Sequence, residues 1–269
     1  MRVVYRPTGS PRSVIILIAL IVAAFYYFTG PRSRSGRTAP GPGGQPQPTT
    51  SPAEIERLTA LLRAPAGAER REGVAAAILL DTSGSMEDKV PAAGGSRRKI
   101  DIARQAVHSI VRQAETFARE QPSQPLLVGI YEFSTRGRSA CRRIVPMGPP
   151  DAAAAERAMR NLTADGQTPI GDSMVQAKHD LDATGLTRTH ILVVTDGANT
   201  AGSTPGNVMW AISRLPEDQR PGVYFVAFDV DAEVFKDVRQ AGALVLPAAD
   251  ERQLQERLNY IMGSRILVE

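Results

Sequence analysis

A handful of side chains in this sequence carry oxygen where a protein could grip a hard cation or a phosphate. Asp81-Thr82-Ser83-Gly84-Ser85 offers one carboxylate and then two hydroxyls at alternate positions, directly after the apolar run from Val74 to Leu80. Thr168 stands ahead of Pro169, and Asp196-Gly197 ends a second apolar run that begins at Ile191. None of these groups is a sulfur or an imidazole. Hydroxyls with at most two carboxylates suit Mg²⁺, with Mn²⁺ or Ca²⁺ as substitutes, and do not suit Zn²⁺ or Cu²⁺. An ion held this way keeps positive character and an open position, so it should attract one further anionic oxygen from outside.

Each piece also has an ordinary alternative. Asp81 to Ser85 describes a hydroxyl-capped turn, with Gly84 where a tight turn is easiest to make. Thr168 before Pro169 suits a helix N-cap, and Asp196-Gly197 is a common turn. Found together in this order, with two of the three at strand ends, they point to metal binding. The enzymatic alternative is a Mg²⁺-dependent phosphohydrolase with Asp81 as nucleophile. That chemistry wants a second acid two residues on, where this chain has Ser83, and no His or Lys is expected to replace it. The expectation is therefore a binding protein and not an enzyme.

The elements that must position these groups alternate along the chain. Strands are predicted at 74–80, 126–133, 142–145 (short, at an edge), 191–195, 223–228 and 244–246. Helices are predicted at 98–119, 151–162, 169–183, 207–215, 232–241 and 251–262. The uninterrupted apolar run from Val74 implies a strand buried on both faces. Such alternation indicates a doubly wound, mostly parallel sheet flanked by helices, in which ligands bind outside the carboxyl ends of the strands. Asp81 and Asp196 both fall there.

On these residues the chain resembles the von Willebrand factor A (vWA) domain family. The resemblance rests on Asp81-Thr82-Ser83-Gly84-Ser85, Gly166-Gln167-Thr168-Pro169-Ile170-Gly171-Asp172 and Val193-Val194-Thr195-Asp196-Gly197, and covers residues 73–269. It implies a Rossmann-like fold with a complete metal-ion-dependent adhesion site at Asp81, Ser83, Ser85, Thr168 and Asp196. By that resemblance Ser83, Ser85 and Thr168 ligate Mg²⁺ directly, Asp81 and Asp196 act largely through water, and a partner protein's Glu or Asp supplies the last ligand. Family members often work beside membrane-associated ATPase systems, so a scaffold or assembly subunit of such a complex is the alternative role. Two stretches depart from the simplest family pattern. Residues 87–97 make a long link, and 134–143 is a basic segment with Arg136, Arg138, Arg142 and Arg143. Both are expected to border the metal face and bear on which partner is chosen.

The formal net charge of +4 is misleading about the domain. The first fifty residues hold six Arg and no Asp or Glu, leaving 26 basic and 28 acidic side chains in the remainder. A basic nucleic-acid footprint is therefore not expected. Val14 to Phe28 is an unbroken apolar run with three Arg on either side. It spans roughly 22 Å as a helix against a hydrocarbon core of roughly 30 Å, and Ser13, Thr29 and Gly30 can lengthen it. A cleaved signal peptide, cut after Val22-Ala23-Ala24, is the rival to an uncleaved signal-anchor. The expected order is a basic tail at 1–12, a single-pass transmembrane helix at 13–30, a disordered Pro/Gly-rich linker at 31–51 and a short amphipathic helix at 52–64. The N-terminus is expected in the cytoplasm and the vWA domain outside it, at the cell membrane. Ile55, Leu58, Leu61 and Leu62 are predicted to face the domain. The lone Cys141 is expected as an exposed spectator thiol, Trp210 as core, and Asp229 and Asp231 as caps of the next helix.

Overall fold

In the computed structural model, residues 51–64, 70–92, 95–135 and 140–268 are described. The expected tail, span and tether at 1–50 lie outside them. Among the described residues no helix is long and apolar enough to cross a membrane.

The centre of the fold is β1 (Arg71–Asp81), whose residues from Gly73 to Asp81 are buried. Its side chains alternate between two cores. Val74, Ala76, Ile78 and Leu80 belong to one, and Ala75, Ala77 and Leu79 to the other. A strand apolar on both faces can only lie between two helical layers, as a parallel α/β sheet requires. The six strands run in the order β5 (Cys141–Gly148), β4 (Leu126–Phe133), β1, β6 (Leu186–Thr195), β7 (Gly222–Phe228) and β8 (Leu244–Ala248). All neighbours are parallel except β5, which pairs antiparallel with β4 at the edge. The chain leaves β1 toward β4 and later returns to β6 on its other side. The gap between the carboxyl ends of β1 and β6 is thus a topological switch point, where the flanking loops splay apart and leave a crevice.

One core is closed by α2 (Lys99–Glu120), α3 (Ala152–Met159) and α7 (Glu251–Ile261), the other by α1 (Pro52–Leu62), α4 (Ile170–Ala183), α5 (Pro205–Ser213) and the short α6 (Lys236–Gln240). Ser51 caps α1 as its sequence predicts, and Ile55, Leu58 and Leu62 are buried. Leu61, expected on the same face, is 46 % exposed. Its position, three after Leu58 and one before Leu62, turns it past the edge of the contact with α4 and α5.

Other expectations need correction. The edge strand predicted at 142–145 extends over 141–148, since antiparallel pairing with β4 needs only backbone groups. The helix predicted at 232–241 is broken into a 3₁₀ turn (Ala232–Phe235) and α6. The long link at 87–97 folds as an antiparallel pair, β2 (Lys89–Ala92) with β3 (Gly95–Arg98). Arg98 holds its base to Glu87 at 3.2 Å and to Asp101 at 2.8 Å, and Arg97 ties it to Glu251 of α7 at 2.6 Å.

Candidate metal centre at the carboxyl edge

Three loops meet above the switch point, and backbone bonds stitch them together. The Gly84 amide donates to the Gly166 carbonyl at 3.0 Å, and the Asp165 amide to the Thr82 carbonyl at 2.8 Å. On the other side the Thr168 amide donates to Thr200 Oγ1 at 2.8 Å, while the Thr200 amide donates to the Thr168 carbonyl at 3.0 Å. The first loop is also fixed to β4, with both the Thr82 amide and its hydroxyl donating to the Phe133 carbonyl.

Four of the five expected ligands form one hydrogen-bonded chain. Asp81 Oδ1 accepts from the Ser83 amide at 2.7 Å. The Ser83 and Ser85 hydroxyls lie 3.4 Å apart, and Ser85 Oγ donates to Asp196 Oδ1 at 2.7 Å. Thr168 is buried and joins this group through its loop's backbone bonds rather than through its hydroxyl. It is not the helix cap that the dipeptide Thr168-Pro169 suggests, because Pro169 occupies the N-cap of α4 and no side chain caps that helix. Gly84 needs no special backbone conformation either. A Cβ there would meet nothing nearer than the Gly166 carbonyl at 3.7 Å.

Among the described residues no three His, Cys, Asp or Glu side chains converge as a metal cluster. The group assembled here is of another kind, two carboxylates with hydroxyls, and its chemistry fits a hard cation. Asp81 is fully buried, and burial pushes its carboxyl up to about 6 against the opposing bonds from Ser83 and Thr195. A buried carboxylate in this condition is stabilised by a nearby cation.

Two neighbours of the site escaped the sequence reading, and a third, Asp229, has a different role from the one expected. Thr195, the last residue of β6, donates its hydroxyl to Asp81 Oδ2 at 2.5 Å. Lys99 opens α2 with its side chain only 7 % exposed, its Nζ 3.0 Å from Asp196 Oδ2 and 2.9 Å from Asp229 Oδ2. Burial works to lower the Lys99 pKa, yet the bonds to Asp229 and Asp196 outweigh it and hold it above the ordinary lysine value. A lysine is therefore placed at the site, contrary to expectation, and Asp229 serves it rather than capping a helix. Asp231 does cap, accepting from the Glu233 amide at 2.9 Å. The basic residues expected to border the site are otherwise engaged. Arg142 pairs with Glu132 and Arg143 with Asp180, each at 2.6 Å, while Arg136 and Arg138 lie outside the described residues. Trp210 packs against the second core.

The family model for the von Willebrand factor type A domain matches residues 76–199, which include all five expected ligands. No curated protein matches the chain. Among solved structures, a von Willebrand factor type A protein from Catenulispora acidiphila is 20 % identical with a TM-score of 0.55, covering 71 % of this chain and 42 % of its own. The PilB minor pilin from Streptococcus sanguinis is 14 % identical with a TM-score of 0.57, covering 73 % and 62 %. The vWF domain of the type V pili tip protein Mfa5 from Porphyromonas gingivalis is 10 % identical with a TM-score of 0.52, covering 72 % and 95 %. The chain thus spans about two fifths of the first of these proteins and about three fifths of the second. At such identities these likenesses speak for the fold, and with the strand order they lead to one conclusion: the described residues have the α/β fold of a von Willebrand factor type A domain, and residues 76–199 match that family's model.

Proposed function

We propose that this domain binds a divalent cation, Mg²⁺ in the first place and Mn²⁺ or Ca²⁺ in its stead, and uses it to hold an acidic residue of a partner protein. The observation that carries the reading is the continuous chain of hard oxygens from Asp81 through Ser83 and Ser85 to Asp196, lying at the switch point of the sheet. Ser83, Ser85 and Thr168 would hold the ion directly, with Asp81 and Asp196 acting through water. The ion supplies Lewis acidity toward a carboxylate oxygen from outside. The protein supplies rigidity, because the three loops are already bonded to one another. The solved pilus proteins of this fold make an adhesion or assembly role a natural one.

A phosphohydrolase is a poorer reading. Asp81 is fully buried, and its two oxygens accept from the Ser83 amide and the Thr195 hydroxyl, which blunts it as a nucleophile. Lys99 is held between two carboxylates and is not free to protonate a leaving group. The apolar segment at 13–30 would anchor the chain in the cell membrane with the domain outside the cytoplasm; protease digestion of intact cells tests this, and a protected domain would reverse the orientation.

Calorimetric titration of the purified domain with Mg²⁺ tests the central claim. Saturable one-site binding that disappears in Asp81→Ala, while circular dichroism keeps the native spectrum, is the expected result. Partner capture from native extract should then be lost on chelation. Capture that persists unchanged with chelator and in Asp81→Ala would end the metal-mediated reading.

A further inference from the structure

Asp196 is shared between two claims. Its Oδ1 takes the hydroxyl of Ser85, on the side of the expected metal ligands, while its Oδ2 takes the ammonium of Lys99 at 3.0 Å. The same ammonium reaches Asp229 Oδ2 at 2.9 Å. Asp229 holds the left-handed backbone conformation, with φ of 53°, and is the only described non-glycine residue to do so. Backbone strain of this kind persists where the surroundings over-determine it. Its amide donates to the Ala248 carbonyl at 2.7 Å, so the strand end after β7 is bent to present the carboxylate to Lys99. The lysine itself arrives by way of the β2–β3 hairpin, which returns the chain beside its own start: the Lys99 amide donates to the Asp88 carbonyl at 2.9 Å. Two separate strand ends and an inserted hairpin thus converge on one buried ammonium.

We propose that Lys99 is a built-in counter-cation of the metal centre. It keeps Asp196 and Asp229 in place when no ion is bound, and it sets the divalent-cation affinity below what the same oxygens would have without it. The proposal rests on the metal reading of Asp81, Ser83, Ser85, Thr168 and Asp196. Its physical basis is simple. A buried carboxylate without a counter-charge is expensive, so an ion-free site of acids alone would repel itself and loosen. A fixed positive charge removes that repulsion but opposes an incoming divalent cation across a poorly screened distance. The consequence is a site that is rigid when ion-free and filled only where the cation is plentiful.

The test is the sign of the change in Mg²⁺ affinity, because a merely structural ion pair predicts the opposite sign. Lys99→Met keeps the length of the apolar stem and removes the charge. By calorimetry it should bind Mg²⁺ about tenfold tighter than wild type, and without Mg²⁺ it should melt lower by several degrees, with the gap narrowing at saturating Mg²⁺. Asp229→Asn, whose backbone conformation suits asparagine, should bind Mg²⁺ a few-fold more weakly, as Lys99 then bears wholly on Asp196. A folded Lys99→Met with unchanged or weaker affinity overturns the proposal. Should that variant not fold, unchanged affinity in Asp229→Asn overturns it instead. Wild type that binds Mg²⁺ with no response to Lys99→Met sinks this inference alone. Absence of binding in both wild type and Lys99→Met sinks the metal reading and this inference with it.

Discussion

Thr195 Oγ1 lies 2.5 Å from Asp81 Oδ2, across the carboxyl ends of two neighbouring parallel strands. Both groups are fully buried, so the bond has no water to replace it. The same hydroxyl accepts from the Gly197 amide at 3.3 Å, which links the first loop to the third through a single side chain.

Replacing Thr195 by valine keeps the shape and removes the donor, leaving one oxygen of a buried carboxyl unsatisfied. We expect a loss of about 1–3 kcal/mol of stability, read from urea denaturation, together with weaker Mg²⁺ binding. Thr195→Ser retains the hydroxyl and should recover most of both. Equal stability of the valine and serine variants would show that the bond contributes nothing.

Glycines at the site separate into two kinds. Gly171, in the first turn of α4, has no room for a side chain: a Cβ would lie 2.0 Å from the Ser203 carbonyl oxygen. Gly171→Ala must therefore push the third loop away from α4 and disturb Thr168 and Asp196 together. Gly84 has ordinary space around it, with its nearest contact at 3.7 Å. Gly84→Ala should fold and bind Mg²⁺ much as wild type does, whereas Gly171→Ala should lose cation binding or fail to fold. Thermal melts with and without Mg²⁺ distinguish the two, and a Gly171→Ala protein with native behaviour would contradict the close approach.

What the sequence conveyed about this fold depended on how strongly each element's burial is written into its pattern. β1 and β4 are legible because Val74 to Leu80 is a continuous apolar run and Leu126 to Phe133 is interrupted only by Gly129 and Glu132, and the helix at 98–119 shows its face through Ile100, Ala103, Val107 and Ile110. The hairpin was not legible. Lys89 to Ala92 and Gly95 to Arg98 bury little beyond Val90, so their pairing is a matter of backbone bonds with no apolar alternation to betray it. At the site, the oxygen groups after β1 and β6 stood out because a strand that ends on a carboxylate is conspicuous. Lys99 did not stand out. It closes the basic run Arg97-Arg98-Lys99, which reads as solvated surface, and its burial follows only once residues 99, 196 and 229 are brought together in space.

Cys141 lies at the start of the edge strand and is half-buried rather than exposed. Burial pushes its thiol up to about 11 from an ordinary 9.0, against a bond from Ser173 and with Asp180 adding to the rise. The fold thus favours the neutral thiol. Its contribution to stability is complete below pH 9 and declines as pH rises from about 9 toward about 11, where the unfolded chain is the better acid. The expected outcome is slow alkylation by iodoacetamide at pH 8 in the native protein and fast alkylation in urea. The stability difference between wild type and Cys141→Ala should shrink or reverse above pH 9. Rapid native labelling at pH 8 would place the thiol in solvent and refute this.

Helix α1 gives the sharpest test of how the segment ahead of β1 belongs to the domain. Its start is fastened to α5, where the Ser51 amide donates to Asn207 Oδ1 at 3.3 Å, and its end to Gln219, which accepts from the Ala64 amide at 3.1 Å. Glu54 also accepts from the Ser203 hydroxyl at 3.1 Å, so the helix braces the loop that follows Asp196. Leu58 is buried in the second core, and Leu61 is 46 % exposed. Leu58→Ala should therefore cost about 2–5 kcal/mol, while Leu61→Ala should stay within about 0.5 kcal/mol of wild type, both by urea denaturation. If α1 were only a tethered appendage, the two substitutions would be equally mild, and deleting residues 51–64 would leave the melting temperature unchanged. With Ile55, Leu58 and Leu62 removed from the core, we expect that deletion to lower it substantially and to weaken Mg²⁺ binding as the brace on the third loop is lost.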